Sequence, residues 1–127
     1  LTKTEILAMK PGRELDALIA VNVFGWKEDV NDDVIKIYIS PSGIRHRAES
    51  LPNYSTEIKS ALPIMIRMRI SAICSEDGWY ATVTNDVIYV SDVVKRLNGK
   101  YWALADNVPE AVCKAALCAV MEKEEAN

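Results

Sequence analysis

The chain has 127 residues, half of them hydrophobic and 26% charged, with a net charge of −3 at neutral pH. This is the composition of one globular domain spanning residues 1–127, large enough to bury roughly two-thirds of its unfolded surface without a staple. The acidic balance argues against gripping duplex nucleic acid through its phosphates, and the longest apolar runs are far short of the ~20 residues that cross a bilayer.

In chain order, TKTE pairs Thr2 with Glu5 as a capping box and predicts a short helix over 3–9. PGRELDALIAVNVFGW places Leu15, Leu18, Ile19 and Val23 on one helical stripe over 11–24, with Glu14 and Asp16 complementing the dipole of its first turns. Gly25 fits the C′ position of that helix, with Trp26 as the apolar residue of a Schellman ending. VIKIYIS alternates as a half-buried strand, with Ile35, Ile37 and Ile39 on one face and Lys36, Tyr38 and Ser40 on the other. A PSG turn then leads to a returning strand in IRHRA.

In LPNYSTEIKSALPIMIRMRI, Ser55 or Thr56 reads as the N-cap of a core helix. Its stripe is Ile58, Ala61, Leu62, Met65 and Met68, with Pro63 on the exposed side, where it bends the helix. WYATVT (79–84) and VIYVSD (87–92) read as a hairpin about Asn85-Asp86, placing Val83 opposite Ile88 and Ala81 opposite Val90. Asn98-Gly99 is a second hairpin signal, before the strand YWALA. The last helix carries Asn107 as N-cap and a small-residue stripe of Val112, Ala115, Ala116, Ala119 and Val120. This order predicts an α+β fold: an antiparallel sheet of about four to five strands covered by three main helices.

Cys74, Cys113 and Cys118 form no CxxC and read as buried thiols. The sole histidine, His46, lies between Arg45 and Arg47 and reads as a loop residue rather than a base. The five glycines make no phosphate-binding loop, and nothing singles out a carboxylate pair, a metal site or a cofactor. The expectation is therefore a non-enzymatic protein. Candidate ligand contacts are Arg13 at a helix start, the Tyr54, Ser55 and Thr56 edge, and one outward ring among Trp79 and Trp102 as a stacking platform. Without an apolar signal core in LTKTEILAMK, the expected location is cytoplasmic.

EILAMKPGRELDALIAVNVFGW, LPNYSTEIKSAL, GWYATV and ADNVPEAVCKAALCAV together resemble the phage ABA sandwich domain family. The resemblance covers most of the chain in the right order. It departs at Leu62, where the family helix often has a tryptophan, and over VNDDVIKIYISPSGIRHRAES, which resembles nothing in the family. It implies a layered α/β/α sandwich and a phage or prophage protein in a bacterial host cell, and it supplies no catalytic residue. The matching motif positions are Arg13, Glu14, Asp16, Tyr54, Ser55 and Thr56. The first reading is a counter-defence binding protein, sequestering a nucleotide-type immune signal or blocking a host defence protein. The alternative is an accessory factor for single-stranded nucleic acid, with Arg45, Arg47, Arg67, Arg69, Lys95 and Arg96 as its basic residues. A homo-oligomer is compatible with either reading.

Overall fold

The computed structural model describes residues 1–29, 35–83 and 101–126. Helix α1 (Lys3–Ala8) opens with the reciprocal Thr2–Glu5 capping box that its sequence spacing predicts. Helix α2 (Arg13–Asn22) buries Leu15, Ile19 and Ala20. It ends as a Schellman turn: Gly25 adopts φ +76°, and the Trp26 amide donates to the Ala20 carbonyl at 3.0 Å.

A small antiparallel sheet follows, ordered β1 (Lys27–Glu28), β2 (Ile37–Ile39) and β3 (Arg45–Arg47). The PSG turn joins β2 to β3 as expected and sets Tyr38 opposite His46. A 3-10 turn (Ala48–Ser50) leads through the NYST segment to α3 (Ile58–Met68). The second antiparallel sheet has β5 (Gly78–Val83) between β4 (Ile70–Ser75) and β6 (Tyr101–Ala105). Helix α4 (Val108–Ala126) ends the chain, with the Asn107 side chain capping the Glu110 amide at 3.0 Å.

Helix α4 is the hub. Residues 111–119 are all buried, because α4 lies on the β4–β5–β6 sheet and also packs against α1, α2 and α3. Small side chains make this possible: Ala111, Ala115, Ala116 and Ala119 on the helix, and Ala81 and Ala103 paired within the sheet. Lys114 is caught in this interior at 4% exposure. Its Nζ donates to the Leu7 carbonyl at 2.9 Å and to Glu110 Oε2 at 3.1 Å, which ties α1 to α4.

The layered α/β arrangement is consistent with a sandwich, but its details differ from the expectation. The described residues form two three-stranded sheets and four α-helices, rather than one sheet under three. β4 has no counterpart in the sequence reading. It forms a hairpin with β5 that places Ser75 opposite Gly78 across Glu76 and Asp77. Gly78 is required there: its φ is +136°, and an added Cβ would stand 2.6 Å from the Ala105 carbonyl oxygen. With β4 and β6 on its two edges, β5 has no edge left for the expected pairing with 87–92. Residues 87–92 themselves, and Asn98-Gly99, lie outside the described residues.

Two faces are also set differently. β2 buries Tyr38, while Ile35 is exposed and Ile37 and Ile39 are half-buried, because the Tyr38 face is the one that looks toward α2. α3 buries Ala61 and Ile64 against α4 and β4 and leaves Ile58 and Leu62 about half exposed. Pro63 is exposed as expected. Cys113 and Cys118 are buried, but Cys74, on the outer strand β4 of its three-stranded sheet, is exposed.

Replacing Lys114 with alanine takes the cationic partner from the partly buried Glu110 carboxylate and Leu7 carbonyl. The expected loss is about 3 kcal/mol in urea unfolding, and smaller for the double change Lys114→Met with Glu110→Gln. An unchanged unfolding midpoint for Lys114→Ala would contradict this account.

Candidate functional site

The PGRELD and NYST segments, far apart in sequence, meet around one carboxylate. Asp16, in the first turn of α2, has no exposed surface. Its Oδ1 accepts the Ser55 amide at 2.8 Å and the Ser55 hydroxyl at 2.7 Å. Its Oδ2 lies 2.7 Å from the Arg13 guanidinium, an ion pair by distance without well-directed hydrogen-bond geometry. Ser55 Oγ in turn accepts the Gly12 amide at 2.9 Å, at the start of α2 where amides lack helical partners.

Arg13 extends the network outward. Nη1 donates to the carbonyls of Ala48, Glu49 and Leu51 at 3.3, 3.3 and 2.7 Å, and Nη2 donates to Asn53 Oδ1. The Asn53 amide then donates to Glu57 at 2.7 Å. A buried carboxylate is tolerable when its charge is paired and hydrogen-bonded; here Arg13 pairs with Oδ2 and Ser55 gives Oδ1 two hydrogen bonds. Beside the network, the buried Tyr54 ring stacks on Phe24 with centroids 5.2 Å apart, and the Arg67 guanidinium lies 5.6 Å from the Phe24 centroid. Burial, then the Asp16 charge, then Cys113 push the Tyr54 phenol up to about 12. Burial foremost, with Asp16 and Glu110, also raises the Cys113 thiol well above its usual value.

On the outer side of α2 an open groove of about 510 Å³ faces the small sheet. Ala17, Leu18 and Val21 from the helix, with Tyr38 and Ala48 opposite, make an apolar floor. Arg13, Glu14, Glu28 and Lys36 make its charged rim. Arg13 is already engaged by Asp16 and the loop carbonyls, which leaves Lys36 as the rim cation without an ion pair among the described residues.

The six residues singled out from sequence do not converge on one pocket. Arg13, Tyr54, Ser55 and Thr56 do come together, but Tyr54 and Ser55 are buried behind α2 and only Thr56 is exposed. Neither Ser55 nor Thr56 caps α3. The N-cap is Glu57, which makes no side-chain cap bond, because Asp16 holds the Ser55 hydroxyl and amide. Trp79 is half-buried on β5 of the other sheet, and Trp102 is paired in register with Thr82 on β6. His46 belongs to β3 rather than a loop, its ring 4.9 Å from that of Trp26. Arg45, on the same strand, pairs with Asp29 at 2.7 Å, while Lys95 and Arg96 lie outside the described residues.

Sequence reasoning missed Asn53 and the groove residues Leu18, Glu28, Lys36 and Tyr38. It also read Asp16 only as a dipole partner. A signal for its burial was present: Asp16 shares the i, i+3, i+4, i+7 face of Ile19, Ala20 and Val23, all buried. Among the described residues no group of three His, Cys, Asp or Glu is placed to hold a metal, and no helix is long and apolar enough to cross a membrane.

The family model of the phage ABA sandwich domain matches residues 17–117. Among solved structures, the 2.0 Å crystal structure of a phage protein from Bacillus cereus ATCC 14579 is similar, with a TM-score of 0.62. It is 25% identical, over 89% of this chain and 94% of that one. No curated protein matches at a significant level.

Asp16→Ala leaves the Arg13 charge and the Ser55 amide without their partner, and a stability loss of about 3 kcal/mol is expected. Asp16→Asn, which keeps one oxygen for Ser55, should lose less; the reverse ranking in urea unfolding would count against the network.

Alkaline pH tests Tyr54. Its folded value of about 12 exceeds the usual 10.0, so the protonated phenol favours the folded state. That contribution is complete below pH 10 and is lost as pH rises toward 12. Cys113 acts in the same direction, so Tyr54→Phe should remove part of the alkaline destabilisation. Ultraviolet titration should show one tyrosine ionising late in the wild type and missing from Tyr54→Phe; simultaneous ionisation of all tyrosines would refute the assignment.

Proposed function

We propose that this chain, which belongs to the phage ABA sandwich domain family, is a phage accessory protein that acts by stoichiometric binding without turnover. Its role in this reading is counter-defence: it captures a nucleotide-type immune signal in the groove between α2 and the small sheet. The observation that carries the reading is the groove's make-up, an apolar floor under a charged rim. Its volume of about 510 Å³ falls in the range that holds one small molecule.

Leu18 and Val21, both half-buried on α2, offer an apolar surface to a base, while Lys36 is the cation available to a phosphate. Glu14 and Glu28 can accept hydrogen bonds from ribose hydroxyls. Arg13, Tyr54 and Ser55 serve indirectly here, by holding the inner side of α2 so that its outer side stays in register with β2. Trp79 and Trp102 have no part in this site.

Calorimetry with cyclic and linear adenine nucleotides tests the reading. One-to-one binding is expected, weakened about tenfold by Lys36→Ala, the scale of one charge-assisted contact. Leu18→Trp, which fills the groove, should abolish it while thermal unfolding stays unchanged. No heat with any nucleotide would remove the nucleotide reading and leave a captured defence protein, to be sought by native mass spectrometry from infected cells. Salt-sensitive retention of oligothymidine would favour the single-strand alternative.

A further inference from the structure

The charges around the groove limit what it can hold. Arg13 is tied to Asp16 and to the loop carbonyls, so its charge is already answered. Lys36, Glu14 and Glu28 are exposed and form no ion pair among the described residues. One free cation therefore faces two free carboxylates. Sites that hold several phosphates show the opposite balance, with arginines, lysines or helix amides in surplus. The amide at the start of α2 is no substitute, since Ser55 Oγ already accepts from Gly12.

The strand register places these charges along the groove. Glu28 stands opposite Tyr38, and Lys36 precedes Tyr38 by two, on the same side of the sheet. Carried one pair past Ile37 and Arg47, the register sets Lys36 beside Ala48, whose carbonyl accepts from Arg13. Lys36 thus lies at the start of α2, the end that carries Glu14. Leu18 and Val21 follow about 6 and 10 Å farther along the helix axis. That is the span of one nucleotide, its phosphate at Lys36 and its base on Leu18 and Val21.

We propose that the groove selects a nucleotide with a single phosphate charge, a phosphodiester, and turns away di- and triphosphates, with Glu14 and Glu28 as the selecting residues. The inference rests on the nucleotide reading above and adds the charge class of the ligand. Lys36 meets the first phosphate. A further phosphate finds no second cation and extends toward Glu14 at the helix start or Glu28 on the sheet. Repulsion between like charges in contact weakens binding about fivefold per pair even in water. The carboxylates suited to ribose hydroxyls are thus the ones that exclude more phosphate.

Calorimetry in metal-free buffer compares cyclic AMP, which has one charge, with ADP and ATP. Cyclic AMP should bind about tenfold more tightly than ATP, and ADP should fall between them. Glu14→Gln together with Glu28→Gln keeps an acceptor for each hydroxyl and should bring the ratio close to one, chiefly by tightening ATP. Added salt should narrow the ratio as well, because rim charges are screened. ATP binding as tightly as cyclic AMP, or a ratio that neither change moves, would overturn the charge rule and leave the groove a nucleotide site. No heat with any of the three would remove the nucleotide reading and this inference together.

Discussion

Asp16 is a carboxylate with no access to water, and the structure around it follows from that constraint. An ionised group in such a place must be compensated, and α2 alone supplies only Arg13. The remaining hydrogen bonds come from Ser55, so the loop before α3 is drawn onto the start of α2. The same arginine gathers the carbonyls of residues 48, 49 and 51, which locks the 3-10 turn beside the helix. One charge thereby sets where α3 begins and how the small sheet stands against α2.

The other organising element works by shape. α4 can be surrounded because its side chains are small where the sheet, α2 and α3 approach, and the sheet answers with Ala81 and Ala103. Lys114 is the exception in this apolar setting, tolerated because a carbonyl of α1 and a carboxylate one turn back both reach it. α3 rests on α4 and β4 by one arc, and Ile58, Leu62 and Ile66 face outward. The groove lies instead beside α2, a helix held in place from behind.

Much of the local structure is legible in the residues themselves. The Thr2–Glu5 box, the Gly25 ending, the PSG hairpin and the Asn107 cap all appear where residue spacing put them. The candidate site was legible only in part. Arg13, Tyr54 and Ser55 do come together around Asp16, but Tyr54 and Ser55 point inward and Arg13 is engaged by the loop. Nothing in NYST says that its serine answers an aspartate in a distant helix. The hairpin of β5 was assigned to the wrong neighbour because 79–84 alternates equally well with strands on either side.

Caps, helix ends and turns are determined by residues adjacent in the chain, since each is closed by a hydrogen bond or a backbone angle within a few positions. The sequence therefore settled where most of the described helices and one of the hairpins lie. Which arc of α3 is covered, which face of β2 turns inward, and why Asp16 can remain buried were decided only in the folded chain. Those outcomes depend on what packs from far away in sequence, and an apolar or charged residue carries no record of which distant surface will meet it.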